Sequence, residues 1–144
     1  MKPVDQTTFG SKVVAEYGNC YSACIASIIE ADLADVPTFV QTHGPDDPLV
    51  GPVWWVAAQA WLLDHYGVTL DYTIDPPRAL FGSTPESPWQ QYAIAVGPSP
   101  RGDHAHCVVV DLDGNLVHDP HPDRTGLAGP AEGYEVIVAP ESTQ

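Results

Sequence analysis

Residues 106–122 read HCVVVDLDGNLVHDPHP, two apolar runs on either side of the pair Asp113-Gly114. This pattern predicts a β-hairpin, because Asp-Gly between apolar runs strongly favours a tight turn. His106 opens the first predicted strand and Asp119 ends the second. Strand pairing then makes these two side chains near neighbours. The sequence leaves their register open by one residue, since turn length or a bulge shifts the pairing.

An apolar helix is predicted within residues 19–39, which read NCYSACIASIIEADLADVPTF. Small and apolar side chains recur there at helical spacing, at positions 20, 23, 24, 27 and 28, and positions 25 and 29 widen the stripe. Gly18 and Asn19 supply a turn and a candidate N-cap, and Pro37 blocks continuation of the helix. The pattern therefore predicts a buried helix with Cys20 in its first turn.

The remaining elements complete an α+β domain. PVWWVAAQAWLLDHYG (residues 52–67) predicts a second helix that starts near Pro52, stops at Gly67 and packs its Trp54, Ala58, Trp61 and Leu62 stripe in the core. VTLDYTI (68–74), YAIAVG (92–97) and YEVIVAP (134–140) predict strands, and residues 75–91 predict a loop. We expect N-terminal helices packed on an antiparallel sheet.

Composition indicates one folded, acidic domain over residues 1–144. Apolar residues make up 44% of the chain and charged residues 17%, with a formal net charge of −14. Such a surface repels phosphate groups, so we expect neither nucleic acid nor a membrane as partner. No segment has the length of a signal peptide or a bilayer span, which predicts a soluble, cytoplasmic protein. The oligomeric state stays open.

One of the three cysteines is a candidate nucleophile. Cys20, Cys24 and Cys107 have no CxxC spacing, so neither a disulfide framework nor a zinc ribbon is indicated. A thiol in the first turn of a helix gains thiolate character from the helix dipole, which favours Cys20. Cys24 continues the apolar stripe of the helix, and Cys107 alternates to the strand face opposite His106. We expect both to be core residues.

A reactive thiol also needs a base, an orienting group and an oxyanion hole. His106 and Asp119 on the hairpin are the candidates for the first two roles. His104 would share a strand face with His106 and is the competing base. For the oxyanion hole, the amides of Gln6 and Asn19 are candidates, although Asn19 is better placed to cap the helix.

These residues resemble a known family. Gln6, then Gly18-Asn19-Cys20 opening an apolar helix that ends at Val36-Pro37, then a late His before a hairpin with Asp, resemble the papain-like (clan CA) cysteine peptidases. The chain is most similar there to minimal domains related to bacteriocin-processing peptidases. GNCYSACIASIIEADLADVPTF and SPRGDHAHCVVVDLDGNLVHDPHP are also similar to small bacterial and phage proteins. The middle third of the chain carries no resemblance.

The resemblance implies a papain-like fold and a role for each matching residue. Cys20 would be the nucleophile, His106 the general base and acid, and Asp119 the group that orients the imidazole. Gln6 and the backbone amide of Cys20 would form the oxyanion hole. The chain departs from the family pattern in having Tyr21 after the nucleophile and Gln6 further upstream than usual.

Three further residues are candidates for substrate binding. Arg101 has the chemistry to hold a substrate carboxylate, or it pairs with surface acids. Trp89 either stacks on a substrate or anchors its loop. His121 either lines the same cleft as His106 or is an ordinary loop residue.

The predicted function is a cysteine peptidase or amidase that needs no cofactor and acts on a peptide or small amide. The same triad also serves acyl transfer. One alternative is a binding or inhibitory module that keeps the fold without turnover. Another is a metal-dependent hydrolase that uses the cluster from His104 to His121, which includes His106, Cys107 and His118.

Overall fold

A computed structural model describes residues 1–8, 19–39, 53–81, 88–101 and 105–139. These residues form helices α1 (Cys20–Ile29), α2 (Val53–Tyr66) and the single turn α3 (Arg78–Phe81). The strands are β1 (Thr69–Thr73), β2 (Tyr92–Pro98), β3 (Ala105–Asp111), β4 (Leu116–His118) and β5 (Gly133–Val138). All strand pairs are antiparallel, in the order β1-β5-β2-β3-β4. The predicted α+β class is confirmed.

Helix α1 is buried on all sides, as its apolar sequence predicts. Every side chain from Tyr21 to Ile29 is buried, and the helix packs across β2 and β3. It ends earlier than the run up to Pro37 suggested. Glu30 takes a left-handed conformation (φ 61°), and the next amide, of Ala31, donates to the carbonyl of Ala26 at 2.9 Å. The chain leaves the helix there, and a 3-10 turn at Leu33–Asp35 follows.

Helix α2 ends where the sequence predicted. Gly67 has a φ of 67°, which glycine adopts without steric cost, and its amide donates to the carbonyl of Leu63 at 3.1 Å. Ala58 and Leu62 are buried, and Trp54 and Trp61 pack against the same core. The Trp54, Ala58, Trp61 and Leu62 stripe is therefore part of the core, as predicted.

The predicted hairpin is formed by β3 and β4. Val109 pairs with His118 and Val110 with Leu116, with a bulge between the two pairs. The turn contains Gly114 at a φ of 85°. The carboxylate of Asp111 accepts the turn amides of Asp113 at 2.9 Å and Asn115 at 3.0 Å. His118, the last residue of β4, therefore lies opposite Val109, and the chain continues from it toward the start of β3.

One part of the chain differs from the sequence-based expectation. Residues 75–91 were predicted to be a loop, but they contain α3 and a 3-10 turn at Pro88–Gln91. The last strand, β5, lies between β1 and β2, a position that the sequence left open. Among the described helices, none combines the length and apolar character needed to cross a membrane.

The first residues cross the molecule as an N-terminal strap, residues 1–8. The amide of Lys2 donates to the carbonyl of Ser27 at 2.9 Å, and the amide of Val4 donates to the hydroxyl of Ser27 at 2.9 Å. Further along, the amide of Gln6 donates to the carbonyl of Pro120 at 3.0 Å. The strap thus connects α1 to the segment that follows β4.

Candidate active site

Cys20 is the first residue of α1, as predicted. The carbonyl of Asn19 accepts the amide of Ala23 at 3.0 Å, which starts the helical hydrogen bonding. The Asn19 side chain does not cap the helix, contrary to expectation. Its Oδ1 instead accepts the amides of Thr7 at 2.9 Å and Thr8 at 3.0 Å. Asn19 therefore fixes the N-terminal strap beside the nucleophile candidate.

The surroundings of Cys20 favour its thiolate. A hydrogen bond from the Cys107 side chain lowers the pKa of Cys20 well below its usual value, and burial opposes this effect. A hydrogen bond and the charge of His106 lower it further, as does the backbone N–H of Cys107. The first turn of a helix acts in the same direction. The predicted position of Cys20 in the first turn of the helix is confirmed.

Cys107 is a neighbour of Cys20 that the sequence did not predict. Its side chain belongs to the main core, as expected, yet its thiol also hydrogen-bonds with Cys20. That hydrogen bond and burial raise the pKa of Cys107 well above its usual value. Burial also raises the pKa of Cys24. Of the three thiols, Cys20 is the one whose pKa is lowered, whereas the pKa values of Cys24 and Cys107 are raised.

His106 lies between Cys20 and Asp119. Its Nε2 bonds to Oδ1 of Asp119 at 2.7 Å, and its imidazole is buried. Nε2 is occupied by the carboxylate, which leaves Nδ1 for the hydrogen bond with Cys20. Burial works against the imidazolium, but the hydrogen bonds and charges of Cys20 and Asp119 together raise the pKa of His106. His106 therefore connects the Asp119 carboxylate, through the 2.7 Å bond, to the thiol of Cys20, which raises the pKa of the imidazole.

Asp119 is held by the loop that follows it. Its Oδ1 also accepts the amide of His121 at 2.9 Å, and its Oδ2 accepts the amide of Gly126 at 2.7 Å. Burial alone would raise the pKa of Asp119, but hydrogen bonds from His106 and these two amides hold it below the usual value. The buried carboxylate is therefore ionised at neutral pH and fixed in orientation.

Gln6 is buried in the N-terminal strap beside the start of α1. Its Nε2 donates to the carbonyl of Thr8 at 3.0 Å, and the same carbonyl accepts the amide of Asn19 at 3.2 Å. Gln6 is thus joined through one carbonyl to the residue before Cys20. Its buried Oε1 has no hydrogen-bond partner among the described residues. Buried polar atoms without a hydrogen-bond partner are rare in folded proteins.

The substrate-binding candidates have these positions. Arg101 pairs with Asp123 at 3.0 Å, the surface contact that was the alternative to a substrate role. The ring of Trp89 packs on Tyr66 at 5.9 Å and against the core. His121 lies edge-on to His106, with ring centroids 6.4 Å apart, so it borders the candidate site. The substrate roles themselves stay predictions.

The histidine cluster considered for a metal is divided in the structure. His118 Nε2 donates to the carbonyl of Val4 at 2.9 Å and lies 3.3 Å from Asp5. In the described ranges, no three His, Cys, Asp or Glu side chains converge in a way that would hold a metal ion. The competing base His104 lies outside the described residues.

Comparisons with known proteins add no relative. No family model, curated protein or solved structure was found to match the chain. Any functional proposal therefore rests on the geometry of Cys20, His106, Asp119 and Gln6.

Two other features near the site carried no clear sequence pattern. The hydroxyl of Tyr21 donates to Oε1 of Glu135 at 2.6 Å, and both side chains are buried. Arg124 contacts both the N-terminal strap and the backbone of Asp119. Tyr21 and Glu135 are 114 positions apart, and Arg124 and Asp5 are 119 positions apart. Arg124 also binds a backbone carbonyl. Local sequence patterns do not predict contacts of these kinds.

Proposed function

We propose that the chain is a papain-like cysteine hydrolase that cleaves an amide or acyl bond in a peptide or small amide. The observation that carries the proposal is the buried His106, which bonds to the Asp119 carboxylate at 2.7 Å and whose interaction with Cys20 raises the pKa of the imidazole and lowers that of the thiol. This is the arrangement that nucleophilic catalysis by a thiol requires.

The first half of the reaction forms a thioester. The Cys20 thiolate attacks the carbonyl carbon of the substrate, and the carbonyl π electrons move onto oxygen. His106, in its imidazolium form, then gives its Nδ1 proton to the leaving amine as the C–N bond breaks. Asp119 keeps the imidazole oriented and stabilises its positive charge through Nε2.

The second half releases the acyl group. His106, now neutral, takes a proton from water, and the resulting hydroxide attacks the thioester carbon. The C–S bond breaks, and Cys20 returns as a thiolate beside the imidazolium. An amine in place of water would give acyl transfer through the same thioester.

The oxyanion of both tetrahedral intermediates needs fixed donors. The backbone N–H of Cys20 and the second N–H of Gln6 Nε2 are proposed for this role, since the first N–H of Nε2 already binds Thr8. The link from Gln6 through the Thr8 carbonyl to Asn19 supports this placement.

The proposal is tested with p-nitrophenyl acetate as an acyl donor. We expect a burst of nitrophenolate, an acetyl group on Cys20 by peptide mass, and return of the original mass as water cleaves the thioester. His106→Ala should slow acetylation by about 100-fold, the usual contribution of a general base or acid. The exposed His65 provides the matched control, and His65→Ala should leave the rate unchanged. Acetylation spread evenly over the three cysteines, or unaffected by His106→Ala, would contradict the proposal.

A further inference from the structure

Arg124 joins the two chain segments that carry Gln6 and Asp119. Its Nη1 and Nη2 donate to the two carboxylate oxygens of Asp5, at 2.6 and 2.9 Å. Nη1 also donates to the backbone carbonyl of Asp119 at 2.6 Å and to that of His121 at 3.3 Å. One guanidinium therefore bonds to the N-terminal strap and to the loop after β4.

Both segments carry a side chain that takes part in the proposed reaction. Asp5 directly precedes Gln6, the proposed oxyanion donor. The carbonyl bound by Arg124 belongs to Asp119, whose carboxylate orients His106. A second link runs beside the first, because the amide of Gln6 donates to the carbonyl of Pro120 at 3.0 Å.

The backbone at Arg124 is itself unusual. Its φ is 55°, in the left-handed region that is sterically unfavourable for a residue with a side chain. Gly126, two positions on, has a φ of 82°. A turn alone would be served better by glycine at 124 as well. The side chain of Arg124 and its four contacts offset this cost.

We propose that Arg124 is a positioning residue that holds the Asp119 carboxylate and the Gln6 amide in fixed relation around Cys20. The inference rests on the proposed function, because both groups have their roles only in that reaction. The guanidinium suits this task, since its planar donors bind a carboxylate in pairs and still reach a carbonyl.

If the Arg124–Asp5 pair were purely structural, its removal would have a different outcome. Arg124 and Asp5 are about half exposed, and exposed ion pairs contribute little to stability. Arg78 in α3 and Asp113 in the turn between β3 and β4 form a similarly exposed pair, with contacts of 2.6 and 3.1 Å. Removing either pair should cost little stability, but only the Arg124 pair should affect the site.

The experiment compares Arg124→Gly with Arg78→Ala and Asp5→Asn. Glycine removes the side chain while accepting the φ of 55°. We expect Arg124→Gly to slow acetylation of Cys20 by p-nitrophenyl acetate about 10-fold or more, since small displacements in a site have effects of this size. It should also move the pH profile of Cys20 alkylation by iodoacetamide upward. Millimolar guanidinium chloride should restore part of the acetylation rate and part of the low-pH alkylation in Arg124→Gly.

Asp5→Asn separates the two halves of the bridge. It weakens the contact to the strap and leaves the Arg124 contact to the Asp119 carbonyl. We expect slower acetylation with an unchanged alkylation profile, because only the Gln6 side is loosened. Arg78→Ala should match the wild type in both measurements.

Two results would overturn the inference. One is an Arg124→Gly protein that matches Arg78→Ala in acetylation rate and in alkylation profile. The other is a loss of folding stability in Arg124→Gly with no change in either measurement per folded molecule. Failure of the proposed function has a separate signature, namely wild-type Cys20 that neither alkylates at low pH nor forms an acetyl thioester. Hydrogen exchange still tests the bridge in that case, since Arg124→Gly should speed exchange at the amides of Val4 and Gln6, and unchanged exchange would refute it.

Discussion

Cys20 depends on two neighbours of different kinds for its low pKa. Cys107 supplies a thiol and a backbone N–H, and His106 supplies a hydrogen bond and a positive charge. His106 acts in the reaction that we propose, whereas Cys107 only donates to the thiolate. The two contributions can therefore be separated by substitution.

Cys107→Ala should raise the pKa of Cys20, because the thiolate loses its strongest hydrogen-bond donor. We expect the pH profile of Cys20 alkylation to move upward by about one pH unit, the equivalent of one charge-assisted hydrogen bond. Peptide mass after iodoacetamide labelling measures this shift. Cys24→Ala is the control, and its profile should coincide with the wild type. Coincidence of the Cys107→Ala profile as well would contradict this account of the thiolate.

The contact between Cys20 and Cys107 explains why only part of the candidate site could be predicted from the sequence. Alternation along a regular strand places residues 106 and 107 on opposite faces, so only His106 was predicted to meet the thiol. Cys20 opens α1, which packs against β3, and there it contacts both residues. The position where a helix end meets a strand end is a tertiary property that periodicity does not encode.

At the level of elements, α1 and β5 are joined by a buried pair of ionisable side chains. The Tyr21 hydroxyl donates to Glu135 at 2.6 Å, and the Tyr21 ring packs edge-on against Trp54 at 4.8 Å. Burial raises the pKa of Glu135 to about 7, although the hydrogen bond from Tyr21 acts against this rise. The carboxyl group is thus mostly neutral in weak acid and ionises close to neutrality.

The raised pKa of Glu135 makes folding stability depend on pH. A carboxyl that is harder to ionise in the folded state contributes its full stability below the unfolded pKa of about 4.5. That contribution falls as the pH rises to about 7 and stays low above this value. Glu135→Gln keeps a hydrogen-bond acceptor for Tyr21 and removes the ionisation.

We therefore expect the free energy of unfolding of Glu135→Gln, relative to the wild type, to rise between pH 5 and pH 8. The size of this rise is bounded by about 3 kcal/mol, from 1.36 kcal/mol per pKa unit. Urea unfolding at the two pH values measures it, with the exposed Glu132→Gln as control. A stability difference that does not change with pH would contradict the buried, neutral carboxyl.

Local sequence patterns predicted the individual helices and strands better than the order of the strands in the sheet. The stop of α2 at Gly67 and the turn at Gly114 follow from single residues that accept positive φ. The end of α1 at Glu30 does not, because its left-handed conformation is unusual for glutamate and carries no sequence signature. The insertion of β5 between β1 and β2 depends on pairing distant segments, which no local pattern specifies.

For the molecule as a whole, the site depends on segments from both ends of the chain. The N-terminal strap brings Gln6, the start of α1 brings Cys20, and the β3–β4 hairpin brings His106 and Asp119. The sequence predicted the hairpin contact because its two strands are adjacent in the chain. It could only suggest Gln6, since the strap is fixed by long-range bonds to Asn19, Ser27 and Pro120.

The proposed reaction requires that Cys20 and His106 form a thiolate–imidazolium pair. The rate of iodoacetamide alkylation of each cysteine between about pH 4 and 9, in the wild type and in His106→Ala, measures whether they do. We predict that Cys20 alone reacts well below the free-thiol pKa of about 8.5, and that His106→Ala abolishes this low-pH reactivity. Reaction of Cys20 no faster than Cys24 and Cys107, or only after denaturation, would contradict the claim.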